Sequence, residues 1–147
     1  MKQYPMPFQT TASSPAGIQS KWQAHNKHKT QTIELAVPPE FDGPGGGYSP
    51  EDLYALALQN CFIATFKVYA EKSKLMYEQI KIDSRLEVDR NEKGFPWMAR
   101  IHFQVQLTGI QQIENAKRIL DKVSQSCMIL NSVNTVKTFE FDVQASS

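Results

Sequence analysis

Pro38-Pro39-Glu40-Phe41-Asp42-Gly43-Pro44-Gly45-Gly46-Gly47-Tyr48-Ser49-Pro50-Glu51-Asp52-Leu53 is the stretch on which the fold turns. Up to Gly47 it mixes prolines, which fix φ, with glycines, which free it, so no long regular element fits there. Gly45, Gly46 and Gly47 in a row permit unusual backbone angles and the close approach of another group. Helix-start signals then follow in order. Ser49 suits the N-cap, Pro50 the first helical position, and Glu51 and Asp52 the first turn, where the helix dipole favours acids. The spacing predicts a helix running from there to about Ser73.

Leu53, Leu56, Ala57, Phe62, Ile63, Ala64, Phe66 and Val68 leave that helix no wide polar stripe. Such a helix must be covered on several sides, which a small chain does poorly alone, so a subunit partner is expected. Gln59, Asn60 and Lys67 fall within residues 53–70 and make it a poor membrane span.

Upstream, extended stretches at residues 18–24 and 30–37 flank His25-Asn26-Lys27-His28, so a hairpin with its turn at 25–28 is expected. Residues 1–16, rich in Pro, Ser and Thr, read as a flexible N-terminal arm, and residues 17–147 as a single domain. Downstream, residues 76–89 alternate. Ile80, Ile82, Leu86 and Val88 face one way; Lys81, Asp83, Arg85, Glu87 and Asp89 face the other. After a loop at 90–97, Ala99, Ile101, Phe103, Val105 and Leu107 alternate with Arg100, His102, Gln104 and Gln106, and Gly109 is expected to end the strand. This predicts a long antiparallel pair with one wet face, on which His102 is a solvated side chain. Residues 113–126 read as an amphipathic helix with Ile113, Ala116, Leu120 and Val123 in line. A short apolar connector, 127–132, leads to a last strand at 135–143 carrying Phe139, Phe141 and Val143 on one face. The order β-β, buried helix, β-β, helix, β is an α+β layout.

The chain has 147 residues and a formal net charge of +1, enough for one core and with no electrostatic case for nucleic acid, anionic lipid or a polyanion. Lys21, Lys27 and Lys29, with His25 and His28, read as a solvated hairpin. Residues 1–16 lack the apolar core of a secretory signal, so a cytoplasmic location is expected. In that reducing setting two cysteines are more often free, catalytic or redox-active than a structural bridge.

Cys61 falls mid-helix and Cys127 just after the second helix. Both also fit small buried hydrophobes, the common state of a free cysteine. No CxxC occurs and the histidines lie far from both in sequence, so no metal site and no cofactor are expected. A thiol on a helix entered through a glycine-rich loop, with a second thiol able to approach, suits peroxide chemistry. One thiolate attacks the O–O bond and becomes a sulfenic acid; the other condenses with it before over-oxidation.

The glycine loop with its Ser49-Pro50-Glu51 start, followed by Ala55-Leu56-Ala57 and Cys61, resembles the hallmark region of the OsmC/Ohr superfamily, the osmotically inducible and organic-hydroperoxide-resistance proteins. Ser126-Cys127-Met128-Ile129-Leu130-Asn131-Ser132 resembles its second cysteine region, and the likeness extends from about Gly17 to Val143. The Pro-Pro-Glu-Phe opening is most similar to a less characterised OsmC-like branch. The resemblance implies antiparallel sheets wrapped around a long cysteine-bearing helix in an intertwined homodimer. It implies a stress-response, antioxidant peroxidase with Cys61 peroxidatic, Cys127 resolving, and a dithiol reductant, lipoyl-type or a small thiol. It also implies that Glu51 positions an arginine beside the reactive thiolate. Here the sequence departs: family members place that arginine in the N-terminal half, whereas the first arginine of this chain is Arg85. Lys21, Lys27 and Lys29 offer charge, but an ammonium lacks the bidentate guanidinium contact, so a weakened peroxidase is expected. The competing expectation is a non-catalytic protein of the same fold that holds a small apolar or electrophilic ligand at the dimer interface.

Overall fold

The computed structural model describes residues 3–147, and the chain divides into two compact units, one ending at Leu53 and one spanning Tyr54–Ser147.

In the first unit, β1 (Thr10–Ser13), β2 (Trp22–Asn26) and β3 (Thr32–Leu35) form an antiparallel sheet in that order. The hairpin is present, but its turn lies further along than expected. His25 pairs with Thr32, so His25 and Asn26 belong to the strand. Asn26 holds the turn instead: its carbonyl accepts the Lys29 N–H at 3.1 Å, and its side-chain amide donates to the Thr30 hydroxyl at 2.8 Å. Within the stretch read as an arm, Thr10–Ser13 pairs with β2, supplying partners to a strand edge that would otherwise lie open.

The glycine-rich loop folds back on the end of β3. A single 3-10 turn, Pro39–Phe41, opens it, and Asp42 takes the left-handed conformation. Ala36 N–H donates to Tyr48 O at 3.1 Å and Tyr48 N–H to Glu34 O at 2.9 Å, which ties the two ends together. Gly43 is fixed by close approach: a Cβ there would meet the Val37 carbonyl oxygen at 2.0 Å. Backbone atoms cannot swing away as a side chain can. Gly43→Ala is therefore expected to destabilise the fold by about 2 kcal/mol, read as a lower denaturation midpoint in urea.

The helix α1 (Pro50–Lys72) starts on a reciprocal cap. Asp52 N–H donates to Ser49 Oγ and Ser49 N–H donates to the Asp52 carboxylate, both at 3.0 Å. Further along, Leu58, Phe62, Phe66 and Ala70 are buried, but Val68 remains 50% exposed.

In the second unit, β4 (Gln79–Arg90) and β5 (Pro96–Ile110) form the expected antiparallel pair. Ala99, Ile101, Phe103, Val105 and Leu107 are all buried, as their alternation predicts. Two positions depart. A register shift at Glu87/Val88 turns Val88 outward. Gly109 does not end β5 but sits at φ 74° within a second irregularity, and the strand continues to Ile110. The outer face is wet, with Arg100 reaching Glu87 at 3.0 Å and Asp89 at 2.9 Å.

The second helix, α2 (Ile113–Ser126), buries Ala116, Ile119, Leu120 and Val123. A 3-10 turn, Leu130–Ser132, leads to β6 (Val136–Ala145), which joins β5 on the side away from β4. β6 runs parallel to β5, so this sheet is mixed and α2 is a crossover helix. The core closes around aromatic rings: Phe62 lies 5.7 Å from Phe139, which stacks on Phe103 at 5.2 Å.

Candidate active site

Both cysteines are free, and the structure brings them together across 66 residues of chain, with Sγ–Sγ 2.6 Å. Their environments differ. Cys61 lies on α1 and is partly exposed, whereas Cys127 is fully buried. Cys127 is the residue at which α2 ends: its N–H still donates to Val123 O, but its backbone is extended. The main chain is anchored there by Asn131, whose backbone N–H donates to Cys127 O at 3.0 Å and whose side-chain amide donates to the same oxygen at 2.8 Å.

Burial pushes the Cys127 thiol above its ordinary pKa, and the contact with Cys61 adds to this; the Leu130 N–H and the Thr65 hydroxyl pull the other way. The raised value favours the protonated form of the buried sulfur, which lies in close contact with Cys61 Sγ. A raised pKa means that the folded chain binds this proton more tightly than the unfolded one. The associated stability is fully present below the unfolded thiol value, about 8.5, and is lost as pH rises through the raised folded value. The melting temperature of the reduced protein is expected to fall over that window, and the fall should be shallower in Cys127→Ala.

Glu51 lies in the first turn of α1, and its Oε1 is buried with no hydrogen-bond partner among the described residues. The lysines considered as substitutes for arginine divide. Lys21 Nζ donates to Gly46 O at 3.4 Å and lies 3.7 Å from Glu34, so it braces the glycine loop. Lys27 and Lys29 sit exposed at the hairpin turn. Arg85 is 3.8 Å from Glu87 on the wet face of β4 and strongly exposed. His102 is half-buried there, bonded to the Thr138 hydroxyl at 2.7 Å. An open cleft of about 510 Å³ in the first unit is lined by Glu34, Gly46, Gly47, Tyr48 and Asp52. Among the described residues no group of three His, Cys, Asp or Glu side chains is placed to hold a metal ion, and no helix is long and apolar enough to cross a membrane.

Thr65, Tyr69 and Asn131 escaped the sequence reading. The helical period was the available signal for two of them, since Thr65 and Tyr69 follow Cys61 on one face of α1. Tyr69 bonds Ser126, next to Cys127, at 3.0 Å.

A model of the family described as OsmC-like protein matches residues 43–142. An organic hydroperoxide resistance protein of Xanthomonas axonopodis pv. citri is 28% identical over 124 residues, covering 83% of this chain and 85% of the relative. Among solved structures, an OsmC-like protein of unknown function from Vibrio cholerae superposes with TM-score 0.81 at 16% identity, over 92% of this chain and 99% of that one. An organic hydroperoxide resistance protein OsmC from Legionella pneumophila superposes with TM-score 0.71 at 21% identity, over 92% and 96%.

Proposed function

The chain belongs to the OsmC-like protein family, and from that membership we propose that it is a thiol-dependent peroxidase that reduces organic hydroperoxides. The observation that carries the proposal is the 2.6 Å contact between Cys61 and Cys127. A disulfide needs about 2.05 Å, so closing the bond asks for only a small shift of side chains.

In this reading Cys61, the exposed sulfur of the pair, attacks the distal peroxide oxygen as a thiolate. The O–O bond breaks, two electrons pass from sulfur to the peroxide, and the departing alkoxide takes a proton to become the alcohol. Cys61 is left as a sulfenic acid. The Cys127 sulfur then attacks Cys61; the S–O bond breaks, and hydroxide leaves as water with the proton that Cys127 gives up. A dithiol, lipoyl-type or small, returns the disulfide to two thiols. No metal or cofactor enters this scheme.

The proposal treats residues 17–147 as one OsmC-like domain acting as a cytoplasmic homodimer. The exposed Val68 on α1 supports cover by a second subunit. It also gives Glu51 the role the resemblance implies, orienting a cation for the reacting thiolate; the buried, unsatisfied Oε1 supports that assignment. Glu51→Gln is expected to slow reaction with hydroperoxide about tenfold while leaving the melting temperature unchanged, as read by stopped-flow peroxide loss and thermal denaturation. Non-catalytic ligand binding does not call for a second thiol in contact with the first, and that contact is why catalysis is preferred.

The test is intact mass after one equivalent of a cumene-type hydroperoxide, with and without alkylation. The expected product has lost two hydrogens and has no alkylatable thiol. Unchanged protein with both thiols alkylated, and no hydroperoxide consumed in the presence of a dithiol, would overturn the peroxidase reading.

A further inference from the structure

The helix α2 ends at Cys127, and the carbonyls of a last helical turn have no partner further along the helix. Asn131 supplies one from outside. Its side-chain amide donates to Gln125 O at 2.9 Å and to Cys127 O at 2.8 Å, and its backbone N–H donates to Cys127 O at 3.0 Å. The Cys127 N–H is taken by Val123 O at 3.0 Å. Both backbone polar groups of Cys127 are therefore fixed, one by the helix and one by Asn131. A second tie runs from this segment to α1. Ser126 Oγ has a single hydrogen and gives it to Lys122 O at 2.7 Å, so the 3.0 Å bond between Tyr69 and Ser126 is donated by the tyrosine. The Lys122 ammonium, 4.7 Å from the centre of the Tyr69 ring, adds a cation–π contact between the same two helices. Tyr69 lies about two turns beyond Cys61 on α1, and Ser126 is next to Cys127, so this tie and the sulfur contact form two rungs between α1 and the end of α2.

Resting on the peroxidase reading, we infer that Tyr69 and Asn131 are positioning residues for disulfide closure, which together hold the Cys127 sulfur against Cys61 before any bond forms. Asn131 sets the path of the main chain through Cys127, and Tyr69 fixes the end of α2 on α1. Cys127 and Leu130 are buried, but Gln125, Ser126, Met128 and Asn131 around them are exposed, so apolar burial alone leaves this turn loosely held. Without the two ties the reduced segment samples other conformations, and closure must order it again. In the oxidised protein the S–S bond itself keeps the segment docked. The loss therefore falls on the reduced form and lowers the effective concentration of one thiol toward the other. Closure is the step already given: the Cys127 sulfur bonds to Cys61 Sγ, the S–O bond breaks, and the hydroxide leaves as water with the Cys127 proton.

The experiment equilibrates the protein with glutathione and glutathione disulfide and reads the fraction closed by intact mass after alkylation. Two protein thiols and one glutathione disulfide give one protein disulfide and two glutathione thiols, so the midpoint is an effective concentration for the pair. Tyr69→Phe, which keeps the ring beside Lys122, and Ser126→Ala, which removes the same hydrogen bond from its other end, should each lower it about fivefold. Their combination should lower it no further, because both remove one interaction. Asn131→Asp, of the same shape but without the two side-chain donors, should lower it about tenfold. Residues that only stabilised the fold would lower the melting temperature of the reduced protein and leave this midpoint in place. A midpoint unmoved in all of these variants would overturn the inference. Peroxide takes no part in this equilibrium, so failure of hydroperoxide consumption would remove the peroxidase reading without touching the result.

Discussion

Cys61→Ser is expected to abolish hydroperoxide consumption, lowering the rate by at least on the order of a thousandfold, while Cys127→Ser keeps its first turnover and then accumulates over-oxidised protein. The asymmetry follows from where the sulfurs sit. Cys61 is the partly exposed one, and the proposed scheme has it meet the peroxide. A serine hydroxyl at neutral pH is almost wholly protonated and is a poor nucleophile toward peroxide oxygen. In that scheme Cys127, which is buried with its thiol pKa raised, becomes necessary only after oxidation. Without it the sulfenic acid has no intramolecular thiol to condense with and goes on to sulfinic acid, which a dithiol does not reverse. Dithiol-coupled peroxide loss reports the first variant, and intact mass, as the addition of two oxygens, reports the second. Full dithiol-coupled turnover by Cys61→Ser would show that Cys61 is not the attacking residue.

Phe62→Ala is expected to cost about 4 kcal/mol of folding stability. Phe62 is fully buried beside Cys61 on α1, and its ring packs 5.7 Å from Phe139 and 6.2 Å from Phe141. Phe139 in turn stacks on Phe103 of β5. Truncation therefore opens a cavity where helix α1 meets both parallel strands, and no flexible neighbour stands ready to fill it. Urea denaturation followed by far-ultraviolet circular dichroism gives the number. A loss below about 1 kcal/mol would show that this ring cluster does not carry the core in solution.

The features legible in the sequence were those set by local chemistry. Ser49, Pro50 and Asp52 announced the start of α1, and the cap hydrogen bonds are those that these side chains make. Residues 99–107 announced an inward face by strict alternation, and all of its apolar members are buried. The bounds of α2 were legible from its amphipathic period. Pairing between distant segments was not. Nothing local in Val136–Ala145 tells whether it lies parallel or antiparallel to β5, because the same side chains face the core either way. The shift at Glu87/Val88 was equally hidden, since a bulge adds a residue without disturbing the pattern on either side. At the site, the paired cysteines stood out as a residue type, whereas Tyr69 and Asn131 are ordinary residues whose contacts appear only once the end of α2 is docked on α1.

The span of chain between the two thiols includes all of β4, β5 and α2. A covalent link at that point would turn these elements into a closed ring and strip the unfolded chain of loop freedom worth about 4 kcal/mol. Thermodynamic linkage makes the same quantity a property of the couple: whatever the ring adds to the folded state, the fold adds to the difficulty of reopening the ring. A monothiol at modest concentration is then a poor partner for regeneration, and a low-potential dithiol that cyclises as it donates its electrons is a good one.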